Sequence, residues 1–260
     1  MLNQVDRRRA LVTLAASASA LPLASCDLFS QNPTVRRVLD KAESLTMRAQ
    51  RLLMARQALA QEFTDADISA HFRANGSTNP DDDAYQALSQ SGFKDWSLRV
   101  DGLVERALQL SLGDLRGLPA RTQITRHDCV EGWSCIGKWT GVPLGTVLQR
   151  AGLKPEARYI VFRCADSPDG LVDVPEEYKY YESIDLIDAF HPQTILAYEM
   201  NGAPLGIPYG APLRLRVERQ LGYKMAKYVM RIEVVESFKD IAGGRGSYWA
   251  DRNYEWYAGI

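Results

Sequence analysis

Several signatures are missing from this 260-residue sequence, and each absence removes a class of protein. There is no G-x-G-x-x-G turn for a dinucleotide crevice and no Walker A loop to cradle a triphosphate. There is no C-x-x-C-H, so any haem in the reaction is carried by another protein. Cysteine (4) and histidine (3) are scarce, and neither the C-x5-C spacing of Cys129 and Cys135 nor the single nearby His127 makes a zinc site. An excess of one charge is also lacking. The 31 basic and 32 acidic residues leave a net charge of -1, which gives no basic surface for nucleic acid. Glycine and proline are too few for disorder, and no repeat of fixed period is found. What remains is a globular chain of enzyme size, one large domain or a compact pair.

Long hydrophobic runs are lacking as well. Leu11 to Leu23 is uncharged, but too short for a bilayer, which takes about 20 apolar residues. Arg7, Arg8 and Arg9 precede it, in the manner of a twin-arginine export signal, although Ala10 stands where phenylalanine is common. Leu23-Ala24-Ser25-Cys26 resembles a lipobox. Residues 1–26 are therefore expected to be a leader, and the mature protein to be periplasmic and lipid-anchored through Cys26. The alternative is an ordinary cleaved signal with Cys26 incidental.

From Thr34 to about His71 apolar residues recur at spacings of three and four, which predicts a helix, with Pro33 at its start. Residues 27–74 are expected to be a helical stalk or linker, either packing only or docking a membrane partner. Asn75 to Asp83 is polar and turn-rich. Beyond it, Trp96–Val100 alternates as a strand and Asp101-Gly102 fits a hairpin turn. Further strand-like runs are Gln123–Thr125, Arg158–Arg163, Leu213–Val217 and Tyr228–Val235, with short helices at Leu144–Ala151 and Ile184–Ala189. This pattern predicts an α+β, β-rich domain over residues 75–260.

The densest chemistry surrounds Cys129, with Arg126, His127, Asp128, Glu131, Trp133 and Trp139 close by. A thiolate beside cations is a nucleophile or a ligand for soft and high-valent metals, while an isolated buried thiol is inert. Cys135 adds a further option, a disulfide or a dithiol redox pair.

The ordered motifs carry a resemblance. Cys129-Val130-Glu131-Gly132-Trp133-Ser134, Trp139-Thr140-Gly141-Val142-Pro143-Leu144, Gly210-Ala211-Pro212-Leu213-Arg214-Leu215 and Gly222-Tyr223-Lys224-Met225-Ala226-Lys227 follow in sequence, with His191 opening another matching stretch. The chain resembles the sulfite-oxidase-like family of molybdopterin oxidoreductases, on the branch of the periplasmic protein-methionine-sulfoxide reductase catalytic subunits. The resemblance spans about Asn75 to Glu236. It implies a β-rich sulfite-oxidase-type molybdopterin-binding fold and a single-pterin molybdenum–molybdopterin cofactor. By the same resemblance Cys129 is the catalytic thiolate ligand of the metal, and Arg214 and Lys227 grip the cofactor phosphate, as suits a dianion. The backbone of Met225 and Ala226 would add to that cradle, and Asn75 would lie over the pterin. Cys164 stands where the family has threonine and Tyr209 where it has asparagine, so their contacts differ.

Such a cofactor transfers an oxygen atom with two electrons. Sulfite-oxidising relatives place arginines shortly after the ligand cysteine, whereas here Val130-Glu131-Gly132-Trp133 follows, which disfavours a close dianion. The expected reaction is reduction of a small or protein-bound S-oxide or N-oxide, with electrons from a haem- or quinol-linked membrane partner. Sulfite-type oxidation and a Cys129/Cys135 thiol redox protein remain the alternatives. No immunoglobulin-like dimerisation domain follows Tyr257, so a monomer is expected. The aromatic tail (Tyr248, Trp249, Tyr254, Trp256, Tyr257) is expected to cover the core rather than to dock a partner. His127 and Glu131 either orient the cysteine loop or reach the site.

Overall fold

The computed structural model describes residues 32–167, Pro175 and residues 179–260. The leader residues Arg7 to Cys26 lie outside these. The chain divides into two compact units, Met1–Leu53 and Met54–Ile260. In the first, the described residues form helix α1, Pro33–Leu53, whose Val38, Leu45, Leu52 and Leu53 are exposed. Among the described residues no helix is long and apolar enough to cross a membrane.

The helix stops about 18 residues short of the expected end at His71, although the apolar spacing continues. Residues 54–74 belong to the second unit, because its polar groups outcompete a helical turn for their backbone. Phe63 donates its N–H to the carbonyl of Ile124 (2.9 Å) and Ser69 to that of Ile136 (3.0 Å). The Gln193 side chain accepts from Ala60 N–H and donates to its carbonyl. Helix propensity is a weak prior that such tertiary bonds override.

The second unit is α+β, built on two sheets. The first has strands β1 (Ser97–Gly102), β2 (Leu108–Ser111), β5 (Tyr159–Cys164), β6 (Tyr181–Asp185) and β10 (Val229–Val235), in the order β2-β1-β10-β5-β6. Its β1–β10 pair is parallel and pairs Arg99 with Arg231. The second sheet has β3 (Arg121–Asp128), β4 (Ser134–Pro143), β7 (Ile195–Met200) and β8 (Ala203–Pro204) in that order, with β9 (Arg214–Arg216) also on β7. Helices are short: α2 (Asp83–Gln90), α3 (Leu112–Arg116), α4 (Leu144–Ala151) and α5 (Leu186–Ala189). Asp101-Gly102, expected as a turn, instead ends β1 and pairs with Glu233 and Val234.

The main core joins both sheets, with Leu98, Ile160 and Ile232 from the first, Leu196 and Leu215 from the second, and Val147 from α4. Alternation along β7 sends Leu196 and Tyr198 into this core and Ile195 and Ala197 into a second cluster with Phe72 and Trp139. Both faces of the second sheet are thus covered. Gly141, where β4 slips register against β7, allows the closest approach: a Cβ there would lie 2.1 Å from the Leu196 carbonyl oxygen.

Candidate active site

Cys129 follows β3 directly and opens the turn that leads into β4. The turn is closed by Cys129 N–H to the Trp133 carbonyl (2.9 Å) and Gly132 N–H to the Cys129 carbonyl (3.0 Å). At its base Ser134 donates its hydroxyl to Asp128 at 2.5 Å, and Arg126 pairs with Asp128. At its tip the Trp133 indole N–H donates to Glu131 (2.9 Å), and the Arg73 guanidinium sits 5.2 Å above the Trp133 ring. The thiol is therefore held by a short, cross-bonded hairpin turn.

A cavity of about 160 Å³ lies at this turn, and Asn75, Ser77, Cys129, Glu131, Asp166 and Lys227 supply the polar part of its lining. Burial pushes the Cys129 thiol above its ordinary range. The Glu131 carboxylate adds to this, while the N–H groups of Glu131 and Val130 and the Arg73 charge oppose it. The remaining lining includes Met225 and four aromatic residues, Tyr180, Tyr223, Trp249 and Tyr254.

Of the residues expected at the cofactor, Asn75, Cys129, Met225 and Lys227 come together on this cavity. The other four stand off its lining. Cys164 ends β5, is buried, and has its thiol pushed well up by that burial and by Asp166 and Glu182. Tyr209 donates its hydroxyl to the Phe72 carbonyl (3.1 Å). Ala226 is buried and its carbonyl accepts from Leu215 N–H. Arg214 is buried and donates to the carbonyls of Tyr209 (2.9 Å) and Met225 (3.4 Å). The Met225 N–H, expected in the cradle, closes a tight turn onto the Gly222 carbonyl. That turn packs on His127 so closely that a Cβ on Gly222 would lie 2.3 Å from His127 Nε2.

Behind the cavity, cations outnumber carboxylates. Arg214 and Arg216 both face the Trp139 ring, at 4.9 and 4.3 Å from its centroid. Arg216 is neutralised by a two-bond fork onto Glu218 (2.8 and 2.6 Å). Arg214 has no such partner. Its buried Nε makes no hydrogen bond, and burial with the Arg216 charge lowers it to about 9. Lys227 is lowered by burial and by Arg214, with Asp166 pulling the other way. Its ammonium donates to the carbonyls of Asn75 (2.7 Å), Ser77 and Pro208 (3.1 Å). An uncompensated guanidinium nitrogen and a depressed ammonium fit an anionic ligand such as a phosphate. Among the described residues no group of three or more His, Cys, Asp or Glu can hold a metal ion. Among the described residues a metal beside Cys129 would have few other protein donors, which fits a cofactor that brings its own sulfur ligands.

His127, one of the two residues left open by the sequence, is fully buried and reaches the cavity only through its neighbours. Burial, then Arg216, Arg214 and Lys227, drive its pKa well below the ordinary value, so the ring is neutral. Arg216 Nη1 lies 3.0 Å from His127 Nδ1, which makes that nitrogen the acceptor and leaves the proton on Nε2. Glu131, the other, lines the cavity itself.

Asp166, Tyr180 and Tyr223 have a place on the cavity that sequence reasoning did not give them. The available signals were that Asp166 lies two residues beyond Cys164 and that Tyr223 stands inside the Gly222–Lys227 motif. A second buried acid, Glu182, pairs with Lys224, both with fully buried side chains. Burial raises Glu182 to about 7 against the pull of Lys224. A carboxyl raised in the folded state contributes stability below its ordinary pKa and loses it as pH rises through the folded value. Between about pH 4.5 and 7 this amounts to at most about 3 kcal/mol. Glu182→Gln should therefore gain stability on the parent protein as pH rises across that window, read as diverging urea midpoints. Parallel midpoints would show that Glu182 titrates normally.

Residues 85–241 match the family described as oxidoreductase molybdopterin binding domain. The chain is 33% identical over 256 residues to the provisionally named protein-methionine-sulfoxide reductase subunit YedZ1 of Azospira oryzae, covering 98% of this chain and 89% of that protein. It is 33% identical over 244 residues to the protein-methionine-sulfoxide reductase catalytic subunit MsrP of Xanthomonas campestris pv. campestris, covering 91% of this chain and 72% of the relative. Among solved structures, the sulfane dehydrogenase SoxCD of Paracoccus pantotrophus aligns at TM-score 0.49 and 25% identity, over 55% of this chain and 39% of that one.

Proposed function

The chain belongs to the oxidoreductase molybdopterin-binding domain family, and on that premise we propose that it reduces S-oxides, methionine sulfoxide foremost, at the Cys129 cavity. The observation that carries this reading is the placement of a buried thiol on one cavity with Lys227, beside cations that lack a full set of counter-charges. A molybdenum–molybdopterin centre, when bound, supplies two-electron oxygen-atom transfer. Cys129 is the thiolate donor to the metal. Arg214 and Lys227 hold the phosphate of a single pterin, Met225 and Ala226 shape that loop, and Asn75, Cys164 and Tyr209 complete the surroundings.

Reduction is favoured over sulfite oxidation by the lining. Glu131 is on it, and Arg73 stands 3.7 Å from the Glu131 carboxylate, already facing that charge. A sulfite dianion would meet a carboxylate, whereas a neutral dipolar sulfoxide meets aromatic rings. In the balanced reaction the sulfoxide takes up two protons and two electrons, its sulfur–oxygen bond breaks, and a thioether and one water leave. The electrons come from a haem- or quinol-linked membrane partner, a reading supported by the word "subunit" in the names of the relatives.

In the same reading Arg7 to Arg9 and the apolar run after them export the folded protein, and Cys26 anchors it at the periplasmic face of a membrane. Helix α1 then links the anchor to a monomeric catalytic unit. The test is metal and pterin analysis of protein exported from a molybdenum-replete host, with assays on methionine sulfoxide and on sulfite. About one molybdenum and one pterin per chain, with the sulfoxide turned over faster, is the expected result. Exported protein without molybdenum would overturn the reading.

A further inference from the structure

Tyr248 joins the main core and Trp249 packs against it, as expected of the aromatic tail, and Trp249 and Tyr254 also line the cavity that holds Cys129. Trp249 is partly buried and Tyr254 is 37% exposed, so their rings are available to a ligand. They meet each other at 5.0 Å between centroids, and Tyr254 meets Tyr223 edge to face at 5.5 Å.

The corner is fixed by its own backbone. Asn253 takes a left-handed conformation (φ 71°), and Tyr254 N–H donates to the Trp249 carbonyl at 3.0 Å. The Tyr223 hydroxyl donates to the Glu255 carbonyl (2.7 Å). The Asp251 carboxylate ties the segment down by accepting from the N–H groups of Gly243 and Arg245 and from the Tyr181 hydroxyl. A preorganised set of rings loses little freedom on binding. Both residues also lie beyond residue 241, where the family match ends, so the shared cofactor-binding segment does not dictate them.

We propose that Trp249 and Tyr254, braced by Tyr223, form a substrate subsite that takes the alkyl arms of a thioether S-oxide carried on an unbranched side chain, as in a methionine sulfoxide residue of a peptide. Aromatic faces attract alkyl carbon and polarisable sulfur, and they repel a doubly charged oxyanion. The subsite rewards the methylene arm of a methionyl side chain and is indifferent to a substrate that lacks one. It rests on the sulfoxide-reductase reading for its role, but its ligand preference can be measured without turnover.

Two measurements test it. In the molybdenum-loaded enzyme, Trp249→Ala and Tyr254→Ala should each lower kcat/KM for an N-acetyl methionine sulfoxide amide about tenfold more than for dimethyl sulfoxide, chiefly through KM. Trp249→Phe, which keeps an aromatic face, should restore most of the difference. In the loaded, oxidised enzyme, which does not turn over without a reductant, calorimetry with the unreactive N-acetyl methionine sulfone amide should show about tenfold weaker binding in Trp249→Ala. Equal losses for both substrates, or unchanged sulfone binding, would overturn the subsite. A wild-type enzyme that binds the sulfone through Trp249 yet reduces no sulfoxide would overturn the functional reading alone.

Discussion

Replacing Cys129 by serine is expected to lower sulfoxide turnover by at least about a thousandfold, some 4 kcal/mol of transition-state stabilisation. Among the described residues Cys129 is the one thiol on the cavity lining; Cys164 is buried off it, and Cys135 points its sulfur toward the His71 carbonyl at 3.8 Å. Serine preserves the shape of the turn, because the closing bonds are made by the backbone of Cys129, Gly132 and Trp133. The variant should therefore fold with an unchanged melting temperature while losing any thiolate-to-metal absorption band. Cys135→Ser should leave both turnover and spectrum close to the parent. Loss of activity in Cys135→Ser as well would instead favour dithiol chemistry, and full activity in Cys129→Ser would overturn both readings.

The second large effect is on stability. Arg216 and Glu218 have fully buried side chains, and the fork between them is extended by Gln123 to Glu218 (2.8 Å) and by Arg216 to His127. Arg216→Met would leave a carboxylate in the interior with one neutral donor and remove a cation from the face of Trp139. Breaking such a pair from one side costs about 3–5 kcal/mol, because the remaining charge cannot be solvated. For a chain of this size that lowers the melting temperature by roughly 10 °C. Replacing both partners, Arg216→Met with Glu218→Leu, should recover most of the loss. A single variant as stable as the parent would mean that water reaches Glu218.

Strands that form runs of apolar, β-branched and aromatic residues were legible in the sequence. Trp96–Val100, Arg158–Arg163 and Tyr228–Val235 lie within a residue or two of β1, β5 and β10. β7 left no alternating signal, since both its faces are buried. β4 was hidden by Gly137, Gly141 and Pro143, residues ordinarily found in loops, of which Gly141 is needed here for the close approach to β7. Helix α2 begins with Asp82 accepting from Tyr85 N–H, a capping signal that merged into the acidic loop before it. Within the site, Cys129 and Lys227 were found because ordered motifs surround them. Asp166, Tyr223 and the aromatic corner were not, because their meeting depends on tertiary folding that no local spacing encodes.

The parallel pairing of β1 with β10 also governs when this molecule can take shape. The strand at the middle of the first sheet is nearly the last to be synthesised, and its partner Arg99 precedes Arg231 by 132 residues. Until Val229–Val235 has left the ribosome, β1 and β5 have no common neighbour, and their apolar faces stay without a lid. Such distant pairing slows folding and prolongs the exposure of aggregation-prone intermediates. The first sheet can therefore close only once nearly the whole chain has been made.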